Sequence, residues 1–448
     1  MATGGRAAIP STSPLLAPLD PWENLITRRV LGGAGLTGTP PPGRVSRELT
    51  FATVPHEMTY RLLHIADLHL DRPFALMGCH GELARRRRQG LREALRRAGE
   101  IAQVRGCGAV TVGGDLFEHE RAGADTAQFL VETFASWEPM RVLLAPGNHD
   151  PLVPGSIYLR TRWPDNVHVF RGPRLEPLEL TEGLTVWGLG HQEPAWTGNP
   201  LEGGLAAPGG GRRHRAGDGV HLALFHGAET GSRPAGKGVH GPFAAAEIRE
   251  RGYALALCGH YHGRRIDLES GLVYPGSPEP LAFDESGPRG PVLVEIGNRG
   301  EVKCTGIDTN RWHAGIVECR LDGVSSLTAT VDRVSAEVLT ATAGLPLERT
   351  TLRVDLVGAV PPSLGVDLFD CESAVREATG VAALKIRDLT APATDLEALA
   401  EEGTTRGAFV RIAVAALAAT GSAEEKAVVG DALRYGLEAF AGGEVGLR

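Results

Sequence analysis

Five short, mostly apolar runs in this chain stop abruptly on residues that can bind metal. Residues 61–66 run into Asp67-Leu-His69, residues 108–113 into Gly114-Asp115, and residues 141–145 into Gly147-Asn-His-Asp150. Residues 220–225 run into His226-Gly227, and residues 254–258 into Gly259-His-Tyr-His262. Runs of this length and composition read as buried strands. The spacing between them predicts helices over 81–105, 122–137 and 243–252, and further strands over 166–170, 184–189, 272–274 and 291–296. Strands alternating with helices predict a layered α/β fold. Open α/β sheets place their ligand crevices just past the carboxyl ends of the strands, which is where these polar residues recur.

The motifs supply aspartate carboxylates, one amide oxygen and several imidazoles. A mixed oxygen and nitrogen set of this kind suits Mn²⁺, Fe²⁺ or Zn²⁺. None of the six cysteines joins it, which argues against a structural zinc site. One Asp between two ligand sets can bridge two cations ~3.5–4 Å apart, an arrangement that clamps a phosphoryl group and acidifies water. Each motif alone is weak, and a lone His such as His226 is more often a core or surface residue. All five in this order, each after an apolar strand, form a joint signal for a metal site.

Residues 61–285 resemble the calcineurin-like metallophosphoesterase family. Three segments narrow the resemblance: His64-Ile-Ala-Asp-Leu-His-Leu-Asp-Arg-Pro-Phe74, Gly114-Asp-Leu-Phe117 and Tyr274-Pro-Gly-Ser277. They look like the SbcD/YhaO-like bacterial DNA repair exonuclease branch. Phosphoprotein phosphatases of the superfamily carry Gly-Asp-x-Val-Asp-Arg-Gly and Arg-Gly-Asn-His-Glu. This chain reads Gly-Asp-Leu-Phe-Glu and Pro-Gly-Asn-His-Asp instead.

The resemblance implies a layered sandwich of two sheets flanked by helices, with a C-terminal α+β cap and terminal helices. It implies that Asp67, His69 and His262 hold a first metal, that Asp115 bridges, and that Asn148, His226 and His260 hold a second. His149 would act beside the scissile phosphate without ligating. Mn²⁺ is the metal expected from the resemblance, and the ligand chemistry leaves Fe²⁺ and Zn²⁺ open. The related archaeal and eukaryotic proteins carry a His three residues after the bridging Asp. Here that position is Glu118, so the group that supports His149 is left open.

At 448 residues the chain has room for two to four domains. Residues 1–57 hold eight prolines and no periodicity, and read as a disordered segment, with translation from Met58 as one hypothesis. Residues 58–310 form the expected catalytic domain and 311–390 the small α+β cap. In that cap, strands are predicted over 315–321 and 350–357, a helix over 325–339, and a helix–strand pair over 371–389. Residues 391–448 form a helical segment, with helices over 405–419 and 422–440. Their apolar stripes are Phe409, Ile412, Ala413 and Ala416, and Val428, Val429, Leu433 and Leu437. These stripes pack on the protein itself or dock a coiled-coil SMC-like ATPase, the partner that the resemblance implies.

Net charge is −8, of which −7 falls after residue 310, so bulk charge does not advertise nucleic acid. A local basic surface in the first two thirds stays open. Candidates are Arg85–Arg88 with Arg92, Arg96 and Arg97 on one helix, and Arg212, Arg213, His214 and Arg215 in a Gly-rich loop. Both read more simply as solvated charge. His64 and His191 read as packed residues beside the motifs, His240 as a plain loop residue, and Asp71 and Arg72 as part of the cleft wall. No apolar run approaches the ~18–20 residues of a membrane span. Scattered cysteines without a CxxC pair fit reduced thiols in a cytoplasmic protein. The expected activity is hydrolysis of DNA phosphodiester bonds, with a homodimer left open. The alternatives are a phosphodiesterase for a small nucleotide and a mainly DNA-end-binding or scaffolding subunit.

Overall fold

The computed structural model describes residues 58–203, 219–232, 238–297, 300–361, 364, 367–393 and 395–440. The expected disordered segment 1–57 and the loop residues Arg212, Arg213, His214 and Arg215 lie outside them.

In chain order the first elements are β1 (Met58–Ile65), α1 (Gly81–Val104), β2 (Ala109–Val112), α2 (Ala124–Ala135), β3 (Arg141–Leu144), α3 (Ile157–Arg160) and β4 (Val167–Val169). Next come β5 (Glu176–Thr181), β6 (Leu184–Gly188), β7 (Val220–His226), α4 (Ala245–Glu250), β8 (Leu255–Gly259), β9 (Arg265–Asp267), β10 (Leu272–Tyr274), β11 (Val292–Gly297) and β12 (Val302–Gly306). They build two six-stranded sheets, ordered β12-β11-β1-β2-β3-β4 and β5-β6-β7-β8-β10-β9. The pairs β1–β2, β2–β3, β3–β4, β6–β7, β7–β8 and β8–β10 are parallel. Antiparallel strands close both edges of the second sheet and the β12 edge of the first, whose other edge is the parallel strand β4.

Side-chain alternation sorts these strands into four layers. Leu62, Ala109 and Leu143 of the first sheet meet Leu222, Leu224, Leu255 and Leu257 of the second in one core. Leu63, Val110, Val142 and Leu144 point the other way, under α1 and α2. Ala223, Phe225, Ala256 and Cys258 point outward under α4. Because both faces are covered, the parallel strands read as continuous apolar runs. His64 is fully buried between the sheets; its ring nitrogens lie 3.0 Å from Thr111 Oγ1 and 3.1 Å from the Cys258 carbonyl.

The chain continues through β13 (His313–Arg320), α5 (Leu327–Ala341), β14 (Thr350–Val357), β15 (Ala359–Val360), α6 (Leu368–Thr379), β16 (Ala383–Asp388) and β17 (Ala391–Pro392). The small C-terminal unit takes the form of a three-stranded parallel sheet, β13-β14-β16, with α5 and α6 as its crossovers and its own core. Ala314 and Ala383 join the core under α1, so this sheet leans on the larger body. Last come α7 (Leu396–Glu401), α8 (Thr405–Ala419) and α9 (Ala423–Phe440). Phe409, Val410, Ala413, Leu433 and Leu437 pack among these three helices, whereas Ile412 and Val428 of the expected stripes face solvent. Among the described residues no helix is long and apolar enough to cross a membrane.

Candidate metal centre

Each motif residue sits on a loop that leaves the carboxyl end of a parallel strand, and these loops hold one another by backbone bonds. The N–H groups of Asp67, His69 and Leu70 donate to the carbonyls of Gly114, Asp115 and Leu116 at 3.1, 2.9 and 3.0 Å. Among the described residues, the non-glycine positions with positive φ are Asp67, His69, Asp71, Asp115 and His260. Four of these five are sequence-predicted ligands. Such backbone costs ~1–3 kcal/mol per residue and persists where the surroundings over-determine it, most often at functional sites. Two glycines make room for the crossing. A methyl group on Gly147 would collide with the Asp115 carboxylate, and one on Gly114 would lie 2.7 Å from the His226 ring.

The structure brings the predicted ligands together. Donor atoms of Asp67, His69 and His262 lie within 4.8 Å of one another, as do those of Asp67, Asp115 and His226. Asp115 Oδ2 lies 3.5 Å from His69 Nε2 and 3.4 Å from His226 Nε2, between the two sets. Asn148 Oδ1 and His260 Nδ1 lie 3.0 and 3.2 Å from the same His226 nitrogen. The backbone N–H of His260 donates to both Asp67 oxygens, at 3.0 and 3.2 Å.

The outer nitrogens of the imidazoles are anchored. His69 Nδ1 lies 2.9 Å from Glu118 Oε1, His226 Nδ1 2.9 Å from the Gly113 carbonyl, and His262 Nδ1 2.6 Å from Glu285 Oε1. His260 Nε2 lies 3.2 Å from the Gly238 carbonyl. A proton on each anchored nitrogen leaves the opposite nitrogen as a lone-pair donor, the arrangement typical of metal-binding histidines. His69 Nε2 is buried with no hydrogen-bond partner, a costly state that a cation would relieve. The donor set therefore fits divalent metal.

Electrostatics agree. Burial works against charge on Asp115, but His226, His69 and His149 hold its carboxyl well below the usual range. Burial pulls the His226 pKa well down, with the Asp115 charge opposing that shift. Glu285 is buried too, yet His262 and Arg289 hold it down at about 2.

His149 stands apart from the two ligand sets. Its side chain is 42% exposed, the most open imidazole here, and its backbone N–H donates to Asp115 Oδ1 at 2.9 Å. Its Nδ1 lies 2.9 Å from Glu118 Oε2. Glu118 thus answers the question of support for His149, holding that ring with one oxygen and His69 with the other. The three groups could also bracket a cation. Both rings already spend their Nδ1 protons on the carboxylate, so the cluster reads as a hydrogen-bonded clamp. Although burial disfavours charge on His149, Glu118 and Asp115 raise its pKa to about 9.

A cavity of about 220 Å³ opens over these groups, lined by Arg72, His149 and His240 together with His69, Asp115, Asn148, His260 and His262. Residues 60–264 match the family model described as calcineurin-like phosphoesterase. They form a calcineurin-like phosphoesterase domain. Two solved structures are similar to the chain. One is TT1561 of Thermus thermophilus, at 16% identity and a TM-score of 0.33, covering 55% of this chain and 98% of that one. The other is a dimetal phosphatase of Danio rerio, LOC 393393, at 13% identity and a TM-score of 0.34, covering 55% of this chain and 99% of that one. No curated protein matches the sequence.

Several residues of the domain play parts that sequence reasoning missed or misplaced. Asp150, the last letter of its motif, is fully buried and serves as a hydrogen-bond acceptor. It accepts the backbone N–H groups of Asp115, Leu116 and Gly147 at 3.1, 2.7 and 2.6 Å, and the Tyr158 hydroxyl at 2.7 Å. His240, expected as a plain loop residue, lines the cavity 5.6 Å from the His260 ring. Arg72 lines it as expected, whereas Asp71 turns away to Thr126 and Arg92. His64 and His191 are packed, as expected; His191 Nε2 lies 2.8 Å from the His226 carbonyl. Ser277 of the Tyr-Pro-Gly-Ser segment donates to Glu285 at 2.9 Å and so supports His262. The α1 arginines divide: Arg85 pairs with Glu82 at the surface, but Arg87 is buried, 4.4 and 4.7 Å from the rings of Phe74 and Trp312.

Proposed function

We propose that this chain is a two-metal phosphodiesterase acting on DNA, a repair exonuclease of the SbcD/YhaO-like branch. The observation that carries the reading is Asp115 Oδ2 midway between the inward nitrogens of His69 and His226. A bridging carboxylate between two ligand sets is what a phosphoryl-transfer metal pair requires. Asp67, His69 and His262 would hold one cation, and Asn148, His226 and His260 the other, with Mn²⁺ the metal of choice. Once bound, the cations supply Lewis acidity toward a phosphoryl group and acidify water.

The protein's own groups do the rest. Arg72 and His149, on the open side of the cavity, neutralise phosphoryl charge. His149, held protonated at Nδ1 by Glu118, presents Nε2–H to the leaving oxygen. Glu118 in place of the phosphatase Asp-Arg-Gly pattern, and a C-terminal extension that a small substrate does not need, support a polymeric diester. By the same resemblance α8 and α9 would dock a coiled-coil SMC-like ATPase, in the cytoplasm.

The test is Mn²⁺-dependent degradation of end-labelled linear DNA by wild type, His149→Ala and Asp115→Asn. Digestion by wild type alone supports the reading. Hydrolysis of bis-p-nitrophenyl phosphate without DNA digestion would move the substrate to a small nucleotide.

A further inference from the structure

A second polar cavity, of about 370 Å³, lies between α1, the start of β13 and the turn before β14. It shares no lining residue with the metal centre. Five arginines and three glutamates line it. Two of the glutamates are neutralised. Glu82 pairs with Arg85. Glu279, almost fully buried, takes Arg97 at 2.6 Å and the backbone N–H groups of Arg311 and Trp312 at 3.1 and 2.9 Å. The third, Glu93, accepts the Gln89 amide at 3.5 Å.

That leaves Arg86, Arg311 and Arg349, which form no ion pair among the described residues. Arg86 rests over the Trp312 ring at 5.5 Å and donates to the Glu348 carbonyl at 3.3 Å. The tryptophan itself is fixed from beneath by Arg87. Arg97 carries two further N–H groups, at Nε and Nη1, that are buried without a hydrogen-bond partner. Stacked and half-satisfied guanidiniums around a cavity of this size suit a tetrahedral oxyanion with several acceptors.

One segment joins this cavity to the metal centre. Ser277 and Glu285 hold His262, and Glu279, between them in sequence, holds Arg97, Arg311 and Trp312. A ligand that fills both places must be extended and carry more than one anionic group. We propose that the arginine cavity takes a backbone phosphate of the nucleic acid, beyond the ester that reacts. The proposal rests on the DNA reading above and adds a substrate-positioning site to it. Contacts of this kind fix register on the strand and carry no sequence information.

The experiment uses the full chain with Mn²⁺, a fluorescein-labelled linear duplex and bis-p-nitrophenyl phosphate. Arg311→Gln with Arg349→Gln should raise KM for the duplex about tenfold, the size expected for losing a charge-assisted contact to phosphate. The slope of log affinity against log salt should fall by about 0.9 in magnitude, the share of one phosphate. Hydrolysis of the small diester should not change, and Arg311→Lys with Arg349→Lys should restore most of the slope. Both sites are at the surface or half-buried, so matching thermal melts check the fold. Unchanged KM and salt slope in the Gln pair would overturn the cavity's role while leaving the DNA reading intact. A wild type that cleaves the small diester and neither binds nor cleaves DNA would overturn both.

Discussion

Nδ1 of His149 lies 2.9 Å from Oε2 of Glu118, and the other oxygen of that carboxylate reaches His69. One side chain therefore sets the proton position on the candidate acid and on a candidate metal ligand. Glu118→Gln keeps the shape but can accept through one atom only. It should lower kcat on a phosphodiester by about 10²-fold, within the range for losing general-acid support. It should also weaken metal binding about 10-fold. Manganese titrations read by activity separate the two losses, and an unchanged kcat at saturating Mn²⁺ would remove Glu118 from the chemistry.

Asp150 ties the loop after β2 to the loop after β3 through three backbone N–H groups. Burial and the neighbouring Asp115 charge push its pKa up, so it occupies an unfavourable place in exchange for those bonds. Asp150→Ala orphans the three donors and the Tyr158 hydroxyl, and should destabilise the fold by roughly 3–5 kcal/mol. Tyr158→Phe should cost only about 1 kcal/mol. Urea midpoints with unchanged slopes are the check.

His64 makes a pH-dependent contribution. Burial lowers its pKa from 6.5 to about 4, with hydrogen bonds at Cys258 and Thr111 opposing the shift. In the unfolded chain the ring regains its ordinary value, so between pH ~6.5 and 4 the unfolded state binds more protons. Its contribution is complete above pH ~6.5 and is lost as pH falls across that window, by up to ~3 kcal/mol. Against His64→Asn, the wild-type advantage should be widest above pH 7 and shrink towards pH 4. A constant gap would refute the burial account.

Metal should stabilise the fold itself. The inward nitrogens of His69 and His226 and the oxygens of Asp67 and Asp115 crowd together, with His69 Nε2 unsatisfied. A cation that binds only the folded state at 100 times its Kd adds about 2.7 kcal/mol. Melting in EDTA and then in rising Mn²⁺ should move Tm upward with concentration. His262→Ala should reduce the shift, and His149→Ala should leave it nearly intact.

The strands that carry the site were legible because parallel strands covered on both faces show mostly apolar runs, as in β2, β7 and β8. β5 was not legible: its Glu-Pro-Leu-Glu-Leu-Thr sequence alternates half-buried with exposed residues at a sheet edge. Ligand identities could be read from motif order. The tie between Glu118, His69 and His149 could not, because it depends on how three loops cross. Asp150 had the chemistry of a ligand, and only its geometry makes it a backbone acceptor. Arg87 sat in a run of four arginines that read as solvated charge, and the helix turns that one residue beneath Trp312. The bounds of α8 agree with its periodicity, yet Ile412 is exposed. The short α7, which periodicity did not reveal, brings Leu396, Leu399 and Ala400 into that core.

The first sheet places β1 between β2 and β11, although about two hundred residues separate β1 from β11. During synthesis β1 remains a bare edge until the ribosome has released Val292–Gly297, many seconds after β1 emerges at ~5–20 residues per second. His260 and His262 emerge only shortly before. A cation that needs the whole set would therefore load late in the life of the nascent chain, and a product that stops before Gly259 is left with an open strand edge and five of the seven expected ligands.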